Sequence, residues 1–474
     1  MATPQPNRAL HFIGIGGTGM SPLAEIALHR GIKVTGSDAK ASGTTDRLTA
    51  LGARIDFDQT GGLLTAGQTV IVSSAIATAN DELVRAYALK LEVRHRSDLL
   101  NDLMNSKRPI TIAGTHGKTT TTALIAHMLK SLGQDPTAAI GGTFTETGSP
   151  ALVGDGPWFV AEIDESDGSH TKYRPFVSVL TNVDKDHLDH FKDEAALADS
   201  FSTYLSHTDP DGSAVVCWDD KGSQEVGSRH LGNRISYGFR IGSEVRALDY
   251  APREGRTVFR AVVERDLFTV SLPLIGRHNV LNALCALAVA RVLELDVAAA
   301  AESLASYKGV ERRLSLRFDS QDVKVYDDYA HNPGKIAACL AGLKECWPHH
   351  FLHAVFQAHR YSRLETMYAE TMASFANADA VTVLPVYAAG EARTKDFPPS
   401  LLAREITRYS QVPAASCDEL ERCALDLVHS WKGPTVFITL GAGDVWKVSL
   451  KMGELFHENP PTRQSDGSHR PTPP

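Results

Sequence analysis

The segment Ala113-Gly114-Thr115-His116-Gly117-Lys118-Thr119-Thr120 constrains this chain more than any other. A strand-like run, Pro109-Ile110-Thr111-Ile112, precedes it, and a helical pattern follows from Thr121 to Leu129. Strand, glycine loop, Lys-Thr and helix, in that order, is the layout of a loop that cradles phosphates. Glycines let backbone N–H groups come close to the phosphates, and the helix N-terminus adds unpaired donors and the positive end of a dipole. In such a loop Lys118 reaches the β- and γ-phosphates and the Thr119 hydroxyl sits on Mg²⁺. Ile112 stands where the usual spacing has its first Gly. The plainer alternative is a glycine turn that only caps a helix.

Around this loop, strand and helix patterns alternate: His11–Ile15, Ser21–His29, Lys33–Gly36, then Val70–Ser73 and Glu82–Lys90. Alternation of this kind predicts α/β domains, each built on a mainly parallel sheet with helices on its faces. The polar break Asn105-Ser106-Lys107-Arg108 puts a first boundary near residue 107. Strands are expected at Trp158–Glu162 and Val177–Thr181, then a strand-rich meander over 213–275 and a long helix from about His278. A third alternating unit starts after Arg313, with strands at Val323–Asp328, His353–Gln357, Ala380–Pro385 and Thr435–Leu440. Three domains are expected, over 1–107, 108–312 and 313–456, with a Pro- and Ser-rich disordered tail over 457–474.

Composition narrows the function classes. The net charge of −8, with no run of Lys or Arg, argues against a nucleic-acid binder. Six scattered cysteines without a C-x-x-C pair suggest neither a zinc site nor a disulfide framework. The first residues show no apolar signal region. The most apolar stretch, Leu281–Ala301, is broken by Arg291, Glu294 and Asp296 and reads as a core helix, not a membrane span. A cytoplasmic protein without a membrane partner is the expectation.

A second glycine loop lies at the start. Gly14-Ile15-Gly16-Gly17-Thr18-Gly19 matches G-x-G-x-x-G after the first strand, and Asp38 follows about twenty residues later. By itself this reads as an NAD-binding fingerprint of an oxidoreductase. The same geometry serves any diphosphate, a UDP-sugar included, because the glycines recognise pyrophosphate and not nicotinamide.

Further motifs follow in order: Ala161-Glu162-Ile163-Asp164-Glu165-Ser166-Asp167, Thr181-Asn182-Val183-Asp184-Lys185-Asp186-His187, Gly276-Arg277-His278-Asn279-Val280-Leu281-Asn282-Ala283, Glu311-Arg312-Arg313, Asp327-Asp328-Tyr329-Ala330-His331-Asn332-Pro333 and Phe356-Gln357-Ala358-His359-Arg360-Tyr361-Ser362-Arg363. With the two glycine loops, this series resembles the Mur ligase family across nearly the whole chain. The resemblance implies three domains: a Rossmann-like one for a UDP-sugar, a central P-loop one for ATP, and a Rossmann-like one that brings the amino acid. It implies ATP-dependent joining of L-alanine to the carboxylate of UDP-N-acetylmuramate in peptidoglycan precursor synthesis, by a monomer or weak homodimer. Ala330, Asn332 and Ala358 depart from the alanine-adding pattern, and Asp-Tyr-Ala-His-x-Pro is common in sister ligases, so a ligase for a recycled peptide or another amino acid is the alternative.

A carboxylate does not react with an amine at neutral pH, because its leaving group is oxide. Phosphorylation by ATP converts it to an acyl phosphate, which the amine attacks, so the protein has to position groups and neutralise phosphate charge. Gly114, Thr115, His116, Gly117, Lys118, Thr119 and Thr120 are the expected ATP contacts. Glu162 ends an apolar strand, so its carboxylate projects at the sheet edge where ligands bind; the resemblance makes it a Mg²⁺ ligand with Thr119, and His187 a ligand of a second Mg²⁺. Asn279 and Asn282 share a helix face, and by resemblance contact ATP, as do Arg313 and Asp328 from the third domain. His359 and Arg363 lie four apart, and a guanidinium suits an amino-acid carboxylate; Tyr329 and His331 complete the implied amino-acid pocket. Gly16, Gly17, Thr18, Gly19, Ser37, Asp38, Ser73 and Ser74 are the expected UDP-sugar contacts.

Overall fold

The computed structural model describes residues 9–184, 191–393 and 395–459. His187 and nearly all of the expected tail lie outside these residues. The last described helix, Trp446–Glu458, runs two residues past the expected end of the third domain. The chain divides after Glu311 into two compact units, apart from the short stretch Pro252–Glu254.

The first unit holds two sheets. One is five-stranded, in the order Arg54–Asp56, Val34–Ser37, Leu10–Ile13, Thr69–Val72, Glu92–His95, all parallel. The other has ten strands. Its parallel heart is Ser213–Cys217, Val177–Leu180, Arg108–Ala113, Trp158–Glu162 and Thr137–Phe144. The last four residues of Arg108–Ala113 are buried, as a strand covered by helices on both faces must be. Beyond Ser213–Cys217 the sheet continues into the meander. There Arg256–Val263 and Asp266–Leu272 pair antiparallel, and Thr257, Phe259, Ala261 and Val263 alternate into the core. That period-two pattern is what makes the region legible as strand.

The helix Arg277–Val292 packs its apolar residues into the same core as that meander. The apolar stretch Leu281–Ala301, expected as one helix, is two. Glu294 turns with a left-handed φ of 55°. Asp296 then caps a new helix, Val297–Ser303, by accepting the Ala299 N–H at 3.1 Å. Among the described residues no helix is long and apolar enough to cross a membrane.

The second unit holds a six-stranded sheet, in the order Ser315–Asp319, Val323–Asp328, Thr435–Leu440, Phe351–His359, Ala380–Tyr387, Ala414–Ser416. Only the edge strand Ser315–Asp319 pairs antiparallel, and the sequence pattern did not reveal it. Its burial alternates irregularly around a register shift between Leu316 and Phe318.

Candidate active site

Within each sheet, many of the residues singled out from sequence lie where parallel strands end, the edge at which open α/β sheets bind ligands. Gly114 follows the strand Arg108–Ala113 with φ +120°. A Cβ there would strike the Thr181 hydroxyl and come within 2.8 Å of the Asn182 carbonyl oxygen, so only glycine lets the loop pass so close to the next strand end. Gly117, at φ +81°, caps the helix Lys118–Ser131. Asn182 holds the loop between them: its Oδ1 accepts the His116 N–H at 2.8 Å and its Nδ2 donates to the His116 carbonyl at 3.0 Å. The His116 ring lies 3.2 Å from Asp184 through Nε2, while its buried Nδ1 has no hydrogen-bond partner. Thr115 accepts the Asp184 N–H at 3.0 Å.

Lys118 projects from the first turn of that helix. Its ammonium donates to the Gly114 carbonyl at 2.7 Å and to both Glu165 carboxylate oxygens at 2.8 Å. Glu165 is 1% exposed. Burial works against the charge on Lys118, but the carboxylates of Glu165, Glu162 and Asp164 outweigh it and hold the pKa above the ordinary lysine value. Glu162 ends its strand as expected, and its Oε2 accepts the Gly141 N–H at 2.8 Å. Thr119 faces the next glycine with its methyl: a Cβ on Gly142 would lie 3.2 Å from its Cγ2. Thr120 lies half-buried on the same turn.

Among the described residues no three or more His, Cys, Asp or Glu side chains converge on one cation position. Mg²⁺ keeps several waters and takes phosphate oxygens, so it asks a protein for only one or two ligands. The Glu162 carboxylate beside Gly141 is a ligand of the kind that demand names, and the Thr119 side chain stands on the neighbouring Gly142 with its methyl toward it.

Asn279 and Asn282 come together as their spacing predicts. Asn282 Nδ2 donates to Asn279 Oδ1 at 3.0 Å, and Asn282 Oδ1 accepts from Thr121 at 3.0 Å, tying this helix to the one that starts at Lys118.

In the first sheet, Gly16 donates its N–H to Asp38 at 2.8 Å, and Gly17 and Thr18 are exposed. Gly19 lies against the Arg96 guanidinium. Ser73 follows the strand Thr69–Val72, and Ser74 bonds His95 at 3.1 Å and Asp167 at 3.0 Å. Ser37 is placed differently from its neighbours: it is fully buried, and its hydroxyl donates to Glu82, which also pairs with His11 at 2.8 Å.

In the second unit, Asp328 ends its strand and accepts the Leu314 and Ala330 N–H groups at 2.8 and 2.7 Å. Burial pushes its carboxyl up, opposed by the Arg313 charge. Tyr329, His331, His359 and Tyr387 form a ring-to-ring series with centroids 5.3 to 5.8 Å apart. The Arg313 guanidinium lies 5.5 Å from the Tyr329 ring centroid. Arg363 Nη1 lies 3.2 Å from His359 Nδ1, so the pair four residues apart does face one way. Burial and the Arg363 and Arg360 charges push His359 down to about 4, and burial with Lys335 and Arg363 pushes His331 well below its ordinary value. Both rings are therefore neutral at pH 7. Asn332 is spent locally: its side chain accepts the Lys335 N–H at 3.0 Å and caps the helix Pro333–Cys346.

Sequence reasoning passed over two residues here. Glu165 stands in the sequence between Asp164 and Asp167, and nothing in its spacing marks it as the partner of Lys118. Arg312, next to the residue singled out, bonds the buried Asp327 at 3.3 Å and the Gly441 carbonyl at 2.6 Å.

Residues 9–108 match the family model for the Mur ligase family, catalytic domain; residues 112–290 match the Mur ligase middle domain; residues 312–443 match the Mur ligase, glutamate ligase domain. A UDP-N-acetylmuramate–L-alanine ligase of Syntrophotalea carbinolica is 37% identical over 456 residues, 95% of this chain and 98% of its own. The crystal structure of the UDP-N-acetylmuramate-alanine ligase of Thermotoga maritima superposes with a TM-score of 0.82 at 27% identity, over 95% of this chain and 99% of its own. A murein peptide ligase from Psychrobacter arcticus shares the fold, with a TM-score of 0.69 at 23% identity, over 94% of this chain and 98% of its own.

Proposed function

The chain belongs to the Mur ligase family, and from that membership we propose that it joins L-alanine to the carboxylate of UDP-N-acetylmuramate at the expense of ATP. The observation that carries this reading is the end-to-end likeness, at 37% identity, to a ligase of that name. Neutral binding groups alone would not explain the site, but a lysine held among carboxylates at a phosphate loop does suit phosphoryl transfer.

The UDP-sugar takes the Gly14–Gly19 loop, with Asp38 orienting the loop through the Gly16 N–H and Ser74 at the neighbouring strand end. ATP takes the loop from Gly114 to Thr120, with Asn279 and Asn282 behind it; Arg313 and Asp328 keep the ATP role that family resemblance gives them. Lys118 neutralises the phosphoryl group as it moves from ATP to the substrate carboxylate. Thr119 and Glu162 would hold Mg²⁺, which supplies charge neutralisation of the phosphates, and His187 is the further ligand proposed, outside the described residues. The resulting acyl phosphate is attacked by the amine of alanine, and inorganic phosphate leaves. No protein nucleophile is required. Arg363 takes the carboxylate of the amino acid, and His359, neutral at pH 7, does not repel the incoming ammonium as an imidazolium would. The reaction is assigned to the cytoplasm and to a monomer or weak homodimer.

The sister-ligase alternative rests on Ala330, Asn332 and Ala358. Ala330 is buried, and Asn332 serves a helix cap, so local structure accounts for Asn332 without an appeal to substrate. The test is ADP release with UDP-N-acetylmuramate and each candidate amine in turn. L-alanine should be preferred. Preference for a tripeptide or another amino acid would move the chain to a sister ligase, and tight NAD binding without UDP-sugar binding would overturn the reading of residues 14–38.

A further inference from the structure

The acidic loop between the strand Trp158–Glu162 and residue 168 faces two ways within the first compact unit. Glu165 points to Lys118. Asp164 and Asp167 point instead to the first sheet. Asp164 Oδ2 accepts from Arg96 Nη2 at 2.9 Å, and its Oδ1 accepts the Ser166 N–H at 3.0 Å. Asp167 Oδ2 accepts from the Ser74 hydroxyl at 3.0 Å. Arg96 in turn lies on the backbone of the UDP-sugar loop: a Cβ on Gly19 would sit 3.1 Å from its Nη1 and 3.2 Å from its Cζ. A continuous set of contacts thus runs from Gly19 through Arg96 and Asp164 to Glu165 and Lys118.

We propose that Arg96 is a positioning residue, which acts through Asp164 to couple occupancy of the Gly14–Gly19 loop to the Lys118–Glu165 pair; this rests on the ligase reading above. The physical argument is competition for one guanidinium. With the loop empty, Arg96 is satisfied by Asp164 and helps hold the turn that presents Glu165 to Lys118. An anionic diphosphate on the loop draws on the same guanidinium, and a shift of Gly19 changes the space that guanidinium faces, which a Cβ on Gly19 would fill to within 3.1 Å of Nη1. Either change alters the hold on Asp164 and hence the placement of Glu165, the group that occupies the Lys118 ammonium. Coupling of this kind is reciprocal: the UDP-sugar changes ATP affinity by the same factor as ATP changes that of the UDP-sugar.

The experiment is calorimetric titration of the full chain with a non-hydrolysable ATP analogue and Mg²⁺, with and without saturating UDP-N-acetylmuramate. The wild type should show at least about a fivefold change in analogue affinity when the UDP-sugar is present. Arg96→Met and Asp164→Asn should each reduce that factor below about twofold while leaving the affinity for the ATP analogue alone within about threefold, and the double variant should lose no more of the coupling than either single one. Arg96→Lys, which keeps the charge without the fork, should restore part of the coupling. Should Arg96→Met not fold, Asp164→Asn carries the same comparison. Unchanged coupling in the variants, or none in the wild type, overturns the proposal. So does a tenfold loss of UDP-sugar affinity with coupling retained, which would make Arg96 a direct ligand of the diphosphate. A wild type that neither binds the UDP-sugar nor releases ADP would instead sink the ligase reading, and this inference with it.

Discussion

The Lys118 ammonium sits 2.8 Å from both carboxylate oxygens of Glu165, a side chain that is 1% exposed. The lysine proposed to meet the nucleotide is therefore already paired, and on that reading phosphate enters an existing charge network instead of an open pocket.

Breaking that pair from one side should harm both stability and chemistry. Lys118→Met leaves Glu165 buried without its partner cation, which costs about 3–5 kcal/mol of stability, and removes a donor to the transferring phosphoryl group, worth roughly a hundredfold to a thousandfold in rate. Adding Glu165→Gln should recover most of the stability and none of the rate. Urea unfolding and single-turnover ADP release on the single and double variants check this; a double variant no more stable than the single would count against the pairing.

Glu162→Gln keeps an oxygen for the Gly141 N–H and removes only the charge. The Mg²⁺ concentration for half-maximal ADP release should then rise on the order of tenfold or more, with the fold intact by circular dichroism. An unchanged Mg²⁺ requirement would remove Glu162 from the metal.

Acid should destabilise the chain in a defined window. Burial pushes His170 and His278 down to about 4 from an ordinary value of 6.5. Their folded-state pKa values are depressed, so the unfolded chain binds more protons between about pH 4 and 6.5, and stability falls as pH drops through that range. His170 is packed among Phe191, Phe201 and Tyr204. Urea midpoints measured from pH 7 to pH 4.5 should fall, and less steeply in His170→Gln. A flat wild-type profile contradicts the assignment.

Arg363→Ala should raise the KM for L-alanine about 10- to 100-fold, as expected for losing a charge-assisted hydrogen bond of roughly 1.5–3 kcal/mol, and leave the KM for ATP nearly unchanged. Glycine lacks one methyl and should lose only about 1–3 kcal/mol against alanine, and serine should be rejected by roughly a hundredfold at most. Steady-state kinetics with the three amino acids decide it; parallel rises in both KM values would place Arg363 outside the amino-acid pocket.

Much of this molecule was legible before any coordinates. The glycine loops, the strands Trp158–Glu162, Val323–Asp328 and Thr435–Leu440, and Glu162 at a strand end follow from contiguous residues, because a phosphate loop is a local backbone geometry and a buried strand is a short apolar run. What the sequence could not disclose was pairing between distant residues. Lys118 meets Glu165 across 47 positions, Arg96 meets Asp164 across 68, and Arg312 reaches the Gly441 carbonyl across 129. Nor could it tell that Ser37 turns its hydroxyl to the core while Ser74 turns outward. Motifs name the chemistry because it needs particular groups in order along the chain. Only the tertiary structure decides which charges are buried together, since burial and partnership depend on where sheets from separate stretches bring their edges.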